Sequence, residues 1–173
     1  DSTYSERMKH VIEPYVTLRR LSSIDQFDEI VRLESIDSVV GGVTQFTYGL
    51  NNRVYARLAG SGSAREVLNV GLTQTYYTND QAAQYDQRFS TSFNETSPSN
   101  FSPLALMVRG DPSDRLSGTL RTEYDTRFGA IRTISADGTY DFNGLVQTTA
   151  GWSQRRFIEG LKGFDNPGQL DHY

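Results

Sequence analysis

The 173-residue chain contains no cysteine. That excludes a disulfide within it and any Cys-ligated zinc site. Histidine is nearly absent, with only His10 and His172, so a Ser-His-Asp triad would have to use one of them. His10 lies in an extended stretch beside aromatic residues and reads as a surface or membrane-interface side chain. No apolar run approaches the roughly 20 residues of a transmembrane helix. Membrane strands are untouched by that absence, because their hydropathy signal is far weaker. Hydrophobic residues make up 36% of the chain even with Tyr included, which is lean for a soluble globular domain. The net charge of −4 speaks against nucleic acid as a partner. The chain opens on Asp1-Ser2-Thr3-Tyr4, with neither an initiating Met nor a signal peptide. It is read as a piece of a longer protein, taken from within the mature region.

What is present is alternation. In Arg65 to Asp80, Leu68, Val70, Leu72 and Tyr76 share one parity, with Gln74 as a polar exception. Asn69, Gly71, Thr73 and Thr75 hold the other parity. A period of two with this contrast is a strand with one apolar and one polar face. Val43 to Leu58 repeats it, with Phe46, Tyr48, Leu50, Val54 and Ala56 against Gln45, Thr47, Asn51, Arg53 and Arg57. Met8 to Arg20 does so more weakly, and Pro14 there requires an edge, a bulge or a strand end.

Further along, Leu104, Leu106 and Val108 begin another run, and Asp111-Pro112-Ser113-Asp114 reads as a turn. Leu116, Leu120 and Tyr124 oppose Arg115, Thr119, Arg121 and Glu123 in the next strand. Phe128 to Ser135 is a weaker strand, because Ile131 and Ile134 fall on opposite faces. Ala136-Asp137-Gly138 reads as a hairpin turn. Tyr140, Phe142, Val146, Ala150 and Trp152 then mark the last clear strand. Ser22 to Gly42 is either one or two helical turns or a folded loop. Gln81 to Asn100 is a long polar loop, and Arg155 to Tyr173 has no assigned structure.

The expected fold is all-β, an antiparallel up-and-down meander of seven or eight strands. A soluble sandwich alternates too. The long strands and the long polar loop favour part of a large transmembrane β-barrel over a soluble glycan-binding β-sandwich. No residue set nominates catalysis, a cofactor or a metal. Asp25, Asp28 and Glu29 lack EF-hand spacing and read as a solvated acidic loop. Asp111 and Asp114 are explained by turn chemistry.

An ordered series of segments carries a resemblance. His10-Val11-Ile12-Glu13-Pro14-Tyr15 is followed by Phe27-Asp28-Glu29 and Ile36-Asp37-Ser38-Val39. Thr47-Tyr48-Gly49-Leu50-Asn51-Asn52-Arg53-Val54-Tyr55-Ala56-Arg57 and Leu72-Thr73-Gln74-Thr75-Tyr76-Tyr77 come next. Ser102-Pro103-Leu104 and Leu120-Arg121-Thr122-Glu123-Tyr124-Asp125 close the series. Together they resemble the barrel of the lipopolysaccharide-assembly outer-membrane protein family, LptD, also called the organic solvent tolerance protein. Asp37-Ser38 departs from the family's Asp-Arg.

The resemblance implies a non-enzymatic translocon component in the outer membrane of a Gram-negative bacterium, inserting lipopolysaccharide into the outer leaflet. Its implied partners are lipopolysaccharide, outer-membrane lipid, a plug lipoprotein and periplasmic lipopolysaccharide-bridge proteins. Residues 1–173 would then be a partial barrel without the periplasmic domain or the terminal strands. A porin-like channel is the alternative membrane reading. Arg53, Arg57, Arg115 and Arg121 share the polar parity and are the candidate lumen-facing contacts to the anionic substrate.

Overall fold

The computed structural model describes residues 4–23, 25, 29, 42–58, 64–79, 99–142, 144–161 and 164–166, with backbone alone at 4–6 and 58. Its elements are β1 (Tyr4–Arg20), β2 (Thr44–Leu58), β3 (Ala64–Tyr77), β4 (Leu104–Ser113), β5 (Leu116–Asp125), β6 (Ala130–Asp141) and β7 (Gln147–Arg155). They form a seven-stranded sheet in sequence order, and every pairing is antiparallel. The up-and-down meander is therefore as expected. The strands are 9 to 17 residues long, well beyond the five or six residues typical of globular strands. They match or exceed the roughly 9–11 residues that cross a bilayer. The expected helical turns or loop at 22–42 and the polar loop at 81–100 lie largely outside the described residues.

Register carries one parity across the sheet. Leu50 pairs with Leu72, and Leu72 with Leu106. Val70 pairs with Val108, Val108 with Leu120, and Leu120 with Ala136. Even-numbered residues thus build one apolar face. Much of it is open, with Ile12 58%, Val16 75% and Leu18 63% exposed. A sandwich would bury this face under a second sheet, whereas the described strands form a single layer. Aromatic residues gather toward both ends of the apolar face. Phe46, Tyr76 and Phe101 form a chain with ring centroids 6.2 and 5.0 Å apart. At the opposite end Tyr140 meets Phe142 edge-on at 4.8 Å.

Four register irregularities occur among the described residues, one of them between Tyr4 and Met8 in β1, and the other three change which side chains share a face. Between Val54↔Leu68 and Tyr55↔Glu66 the register slips by one residue, so Val67 is the extra residue of a bulge. Beyond it Glu66, not Arg65, joins the odd-numbered polar face. Gly110 and Ser113 flank a second slip, and it absorbs Pro112, whose missing N–H a regular ladder could not accommodate. The third lies between Glu123↔Thr133 and Tyr124↔Ile131. Arg132 is the extra residue there, and its insertion returns Ile131 to the face of Ile134.

Two expected turns are corrected. Ala136-Asp137-Gly138 lies inside β6, paired with Leu120, Thr119 and Gly118 on one side and Trp152, Gly151 and Ala150 on the other. Ladder pairing on both flanks overrides the local turn preference. The reversal comes later, where Gly144 adopts φ +77 and its N–H is held by the Asp141 carboxylate. Likewise β4 runs through Asp111-Pro112-Ser113, and the turn is Asp114-Arg115.

Gln74, the polar residue on the apolar face, is satisfied locally. Its Oε1 accepts from the Tyr48 hydroxyl at 2.7 Å, and its Nε2 donates to the Ser102 carbonyl at 3.1 Å. Among the described residues, buried apolar side chains form two small clusters. One is Val43 and Tyr77 with Leu21; the other is Ile158, Leu161 and Phe164 with Ala130. The buried members of the second cluster lie beyond Arg155, a stretch with no expected element. Arg132 and Arg155 both sit over the Phe164 ring, at 5.5 and 4.9 Å. Arg132 is only 3% exposed, and Asp125 Oδ2 accepts from its Nε at 2.9 Å and faces its Nη2 at 2.9 Å. The same carboxylate caps the 126–129 turn, accepting from the Arg127 N–H at 2.9 Å.

Two substitutions test this frame. Removing Asp125 strands a buried guanidinium, so Asp125→Ala should destabilise the full protein by about 3–5 kcal/mol. The temperature at which the compact barrel band disappears on a heat-modifiability gel should fall, and an unchanged temperature would contradict the pairing. Gly49 leaves room for Tyr15, its cross-strand partner. An added Cβ would come within 2.6 Å of the Tyr15 hydroxyl and would also clash with the Leu72 carbonyl. Gly49→Ala should therefore lower stability by about 1–3 kcal/mol, read as an earlier urea midpoint.

Candidate functional site

The polar face is a cross-strand grid of odd-numbered residues. One row reads Met107, Arg121, Ser135 and Ser153; the next reads Arg109, Thr119, Asp137 and Gly151. Hydroxyl pairs tie neighbouring strands, with Thr47 to Thr75 at 2.9 Å and Thr139 to Thr149 at 3.1 Å. Short polar side chains dominate this face because it meets water, and β-branched Thr suits the pleat.

The four candidate arginines do not share one environment. Arg53 lies on the polar face of β2 between two carboxylates, with Nε 3.3 Å from Glu13 Oε2 and 3.8 Å from Glu66 Oε2. Glu66 also accepts from Asn69 Nδ2 at 3.1 Å. The Val67 bulge makes this triad, because regular alternation would put Glu66 on the apolar side. Arg57 follows on the same face of β2, exposed near the strand end and opposite Ala64. Arg115 is in the β4–β5 turn, not on a strand face, and its carbonyl accepts from the Asp141 N–H at 2.7 Å. Arg121 lies on β5, exposed, with Met107 and Ser135 opposite it on the neighbouring strands.

Two other cations, Arg109 and Arg65, are occupied. Arg109 Nε is 2.9 Å from Asp111 Oδ2. Arg65 pairs with Asp114 and donates to the Asp111 and Ser113 carbonyls at 2.9 and 2.6 Å. Alternation alone did not reveal Glu13 and Glu66 as partners of Arg53. They are 53 residues apart in the chain, and only register and a bulge bring them together. No group of His, Asp and Glu able to hold a metal occurs among the described residues. His10 sits on β1 opposite Val54.

The chain is thus a two-faced sheet, apolar and open on one side, hydroxyl-rich and charged on the other. Among known proteins, the family described as LPS transport system D, LptD, matches residues 32–150, more than half of the chain. No curated protein and no solved structure matches. The sequence resemblance and the family match coincide, and the chain belongs to the LptD family of lipopolysaccharide transport.

Proposed function

We propose that these strands are a sector of a closed outer-membrane barrel that delivers lipopolysaccharide to the outer leaflet. The carrying observation is the parity of the sheet. A continuous apolar face, aromatic toward both ends, backs onto a polar face on strands long enough to span a bilayer. That is the signature of a wall between lipid and a wet lumen. In this reading Phe46, Leu50, Leu68, Val70, Leu72, Leu104, Leu106 and Leu120 face lipid, and Val146, expected with them, lies in the β6–β7 connection. The connections 59–63, 114–115 and 142–146, all short, fall at one end of the sheet, and the long 21–43 and 78–103 fall at the other together with the short 126–129 turn. Short turns belong to the periplasmic side of such barrels and long loops to the outside, which orients the sector.

The reading is of a transport component, not an enzyme. The anionic head group of lipopolysaccharide passes along the polar face while its acyl chains keep to apolar surface. Arg53, Arg57 and Arg121 offer guanidinium to its phosphates from the wall, and Arg115 does so from the periplasmic rim. Guanidinium forks suit phosphate geometry. Several weak contacts serve a substrate in transit better than one tight site. A plug lipoprotein and periplasmic bridge proteins are the partners that family membership brings. Membership in a lipopolysaccharide-transport family favours this role over a porin-like channel.

The test compares neighbours of opposite parity. Leu72→Arg places a charge on the lipid face and should cost about 2–4 kcal/mol near the bilayer midplane. Thr73→Arg places it in the lumen and should be much milder. Folded-barrel yield and the appearance of lipopolysaccharide at the cell surface are the readouts. Equal damage from both changes would remove the assignment of faces.

A further inference from the structure

Arg121 differs in its surroundings from Arg53, Arg109 and Arg155, and among the described residues it shares its lack of a carboxylate partner with Arg7, Lys9 and Arg57 near one end of β1 and β2. Arg53 is neutralised by Glu13 and Glu66, and Arg109 by Asp111. Arg155 lies over Phe164. Arg121 has no carboxylate at ion-pairing distance among the described residues, and it projects from the polar face beside a hollow of about 280 Å³. Arg121, Ser135, Asp137, Gly151 and Ser153 border the hollow. It exists because Gly151 has no side chain and the two serines are short. Its volume equals that of roughly nine liquid waters, enough for a sugar ring or a phosphate with part of its shell.

We infer that this hollow on β5–β7 is the wall's contact for a phosphorylated sugar of lipopolysaccharide. The inference rests on the transport reading above and narrows it to one place. The chemistry is complementary in each part. The free guanidinium donates a planar fork to phosphate oxygens. Ser135 and Ser153 donate or accept with sugar hydroxyls, as neutral hydroxyls do. Asp137, diagonal to Arg121 across the β5–β6 ladder, accepts from a hydroxyl and repels a phosphate that moves too close. That repulsion keeps the contact shallow, as a transit site requires. On β1–β3 the guanidinium of Arg53 is already engaged by Glu13 and Glu66.

The experiment uses the full-length protein in growing cells. A photoreactive residue replaces Ser153, and a second probe replaces Asn51 on the polar face of β2. After irradiation, adducts carrying lipopolysaccharide are counted. Arg121→Ala should reduce the Ser153 adduct by about tenfold, the loss expected from one charge-assisted contact. Thr47→Ala, on the polar face of β2 and away from the hollow, should leave it unchanged. Gly151→Val fills the hollow and keeps Arg121, and it too should reduce the adduct. An added Cβ at Gly151 finds its nearest neighbours at an ordinary 3.9–4.0 Å, so folding is spared, and the heat-modifiability gel verifies this. A Ser153 adduct indifferent to both Arg121→Ala and Gly151→Val would overturn the inference and leave the transport reading standing. Absence of adducts at every polar-face probe would overturn both.

Discussion

Everything in this sheet depends on side-chain parity. A strand turns alternate residues to opposite faces, so one uncorrected slip would carry every later side chain across the wall. Here two of the slips occur at bulges that move side chains to the face their chemistry demands. The extra residue at Val67 delivers Glu66 to the polar face, where it meets Arg53. The extra Arg132 returns Ile131 to the apolar face, and its own guanidinium is carried to Asp125 and Phe164. The bulges therefore set both the smoothness of the apolar surface and the charge pairing of the polar one.

Parity was also what the sequence displayed most plainly. Leu68, Val70 and Leu72 announced one face and Asn69, Gly71 and Thr73 the other, and register extends that division to β4, β5 and β6. Turns were harder to read. Asp137-Gly138 has the composition of a hairpin loop, yet it is paired on both sides, and the reversal falls to Gly144. Composition reports what a segment prefers alone, while two flanking strands decide what it does. Bulges were invisible for a related reason. Ile131 and Ile134 looked inconsistent until Arg132 was counted as an extra residue. Gln74 looked misplaced until Tyr48 and Ser102 were seen to satisfy it.

The candidate arginines show the same limit at the level of chemistry. Sequence placed Arg53 and Arg121 on one face as equals, and the sheet makes them different. The first is held by two carboxylates from neighbouring strands, and the second faces short side chains. Under the proposed transport role, that difference would decide which guanidinium an anionic substrate can use. An ion-paired one must first exchange partners, and an unpaired one only sheds water.

The central claim is that even-numbered positions face lipid and odd-numbered positions face water, with the assignment reversed beyond Val67 in β3, at Ser113 in β4 and before Arg132 in β6. The absence of cysteine from this stretch allows the direct measurement. Single cysteines at positions 64 to 73 of the full protein are exposed, in outer-membrane vesicles, to a water-soluble maleimide. Labelling should be strong at 69, 71 and 73 and weak at 68, 70 and 72. Toward the start of the strand it should switch phase, strong at 64 and 66 and weak at 65. Labelling that keeps one phase through Val67, or that shows no period of two, would contradict the account.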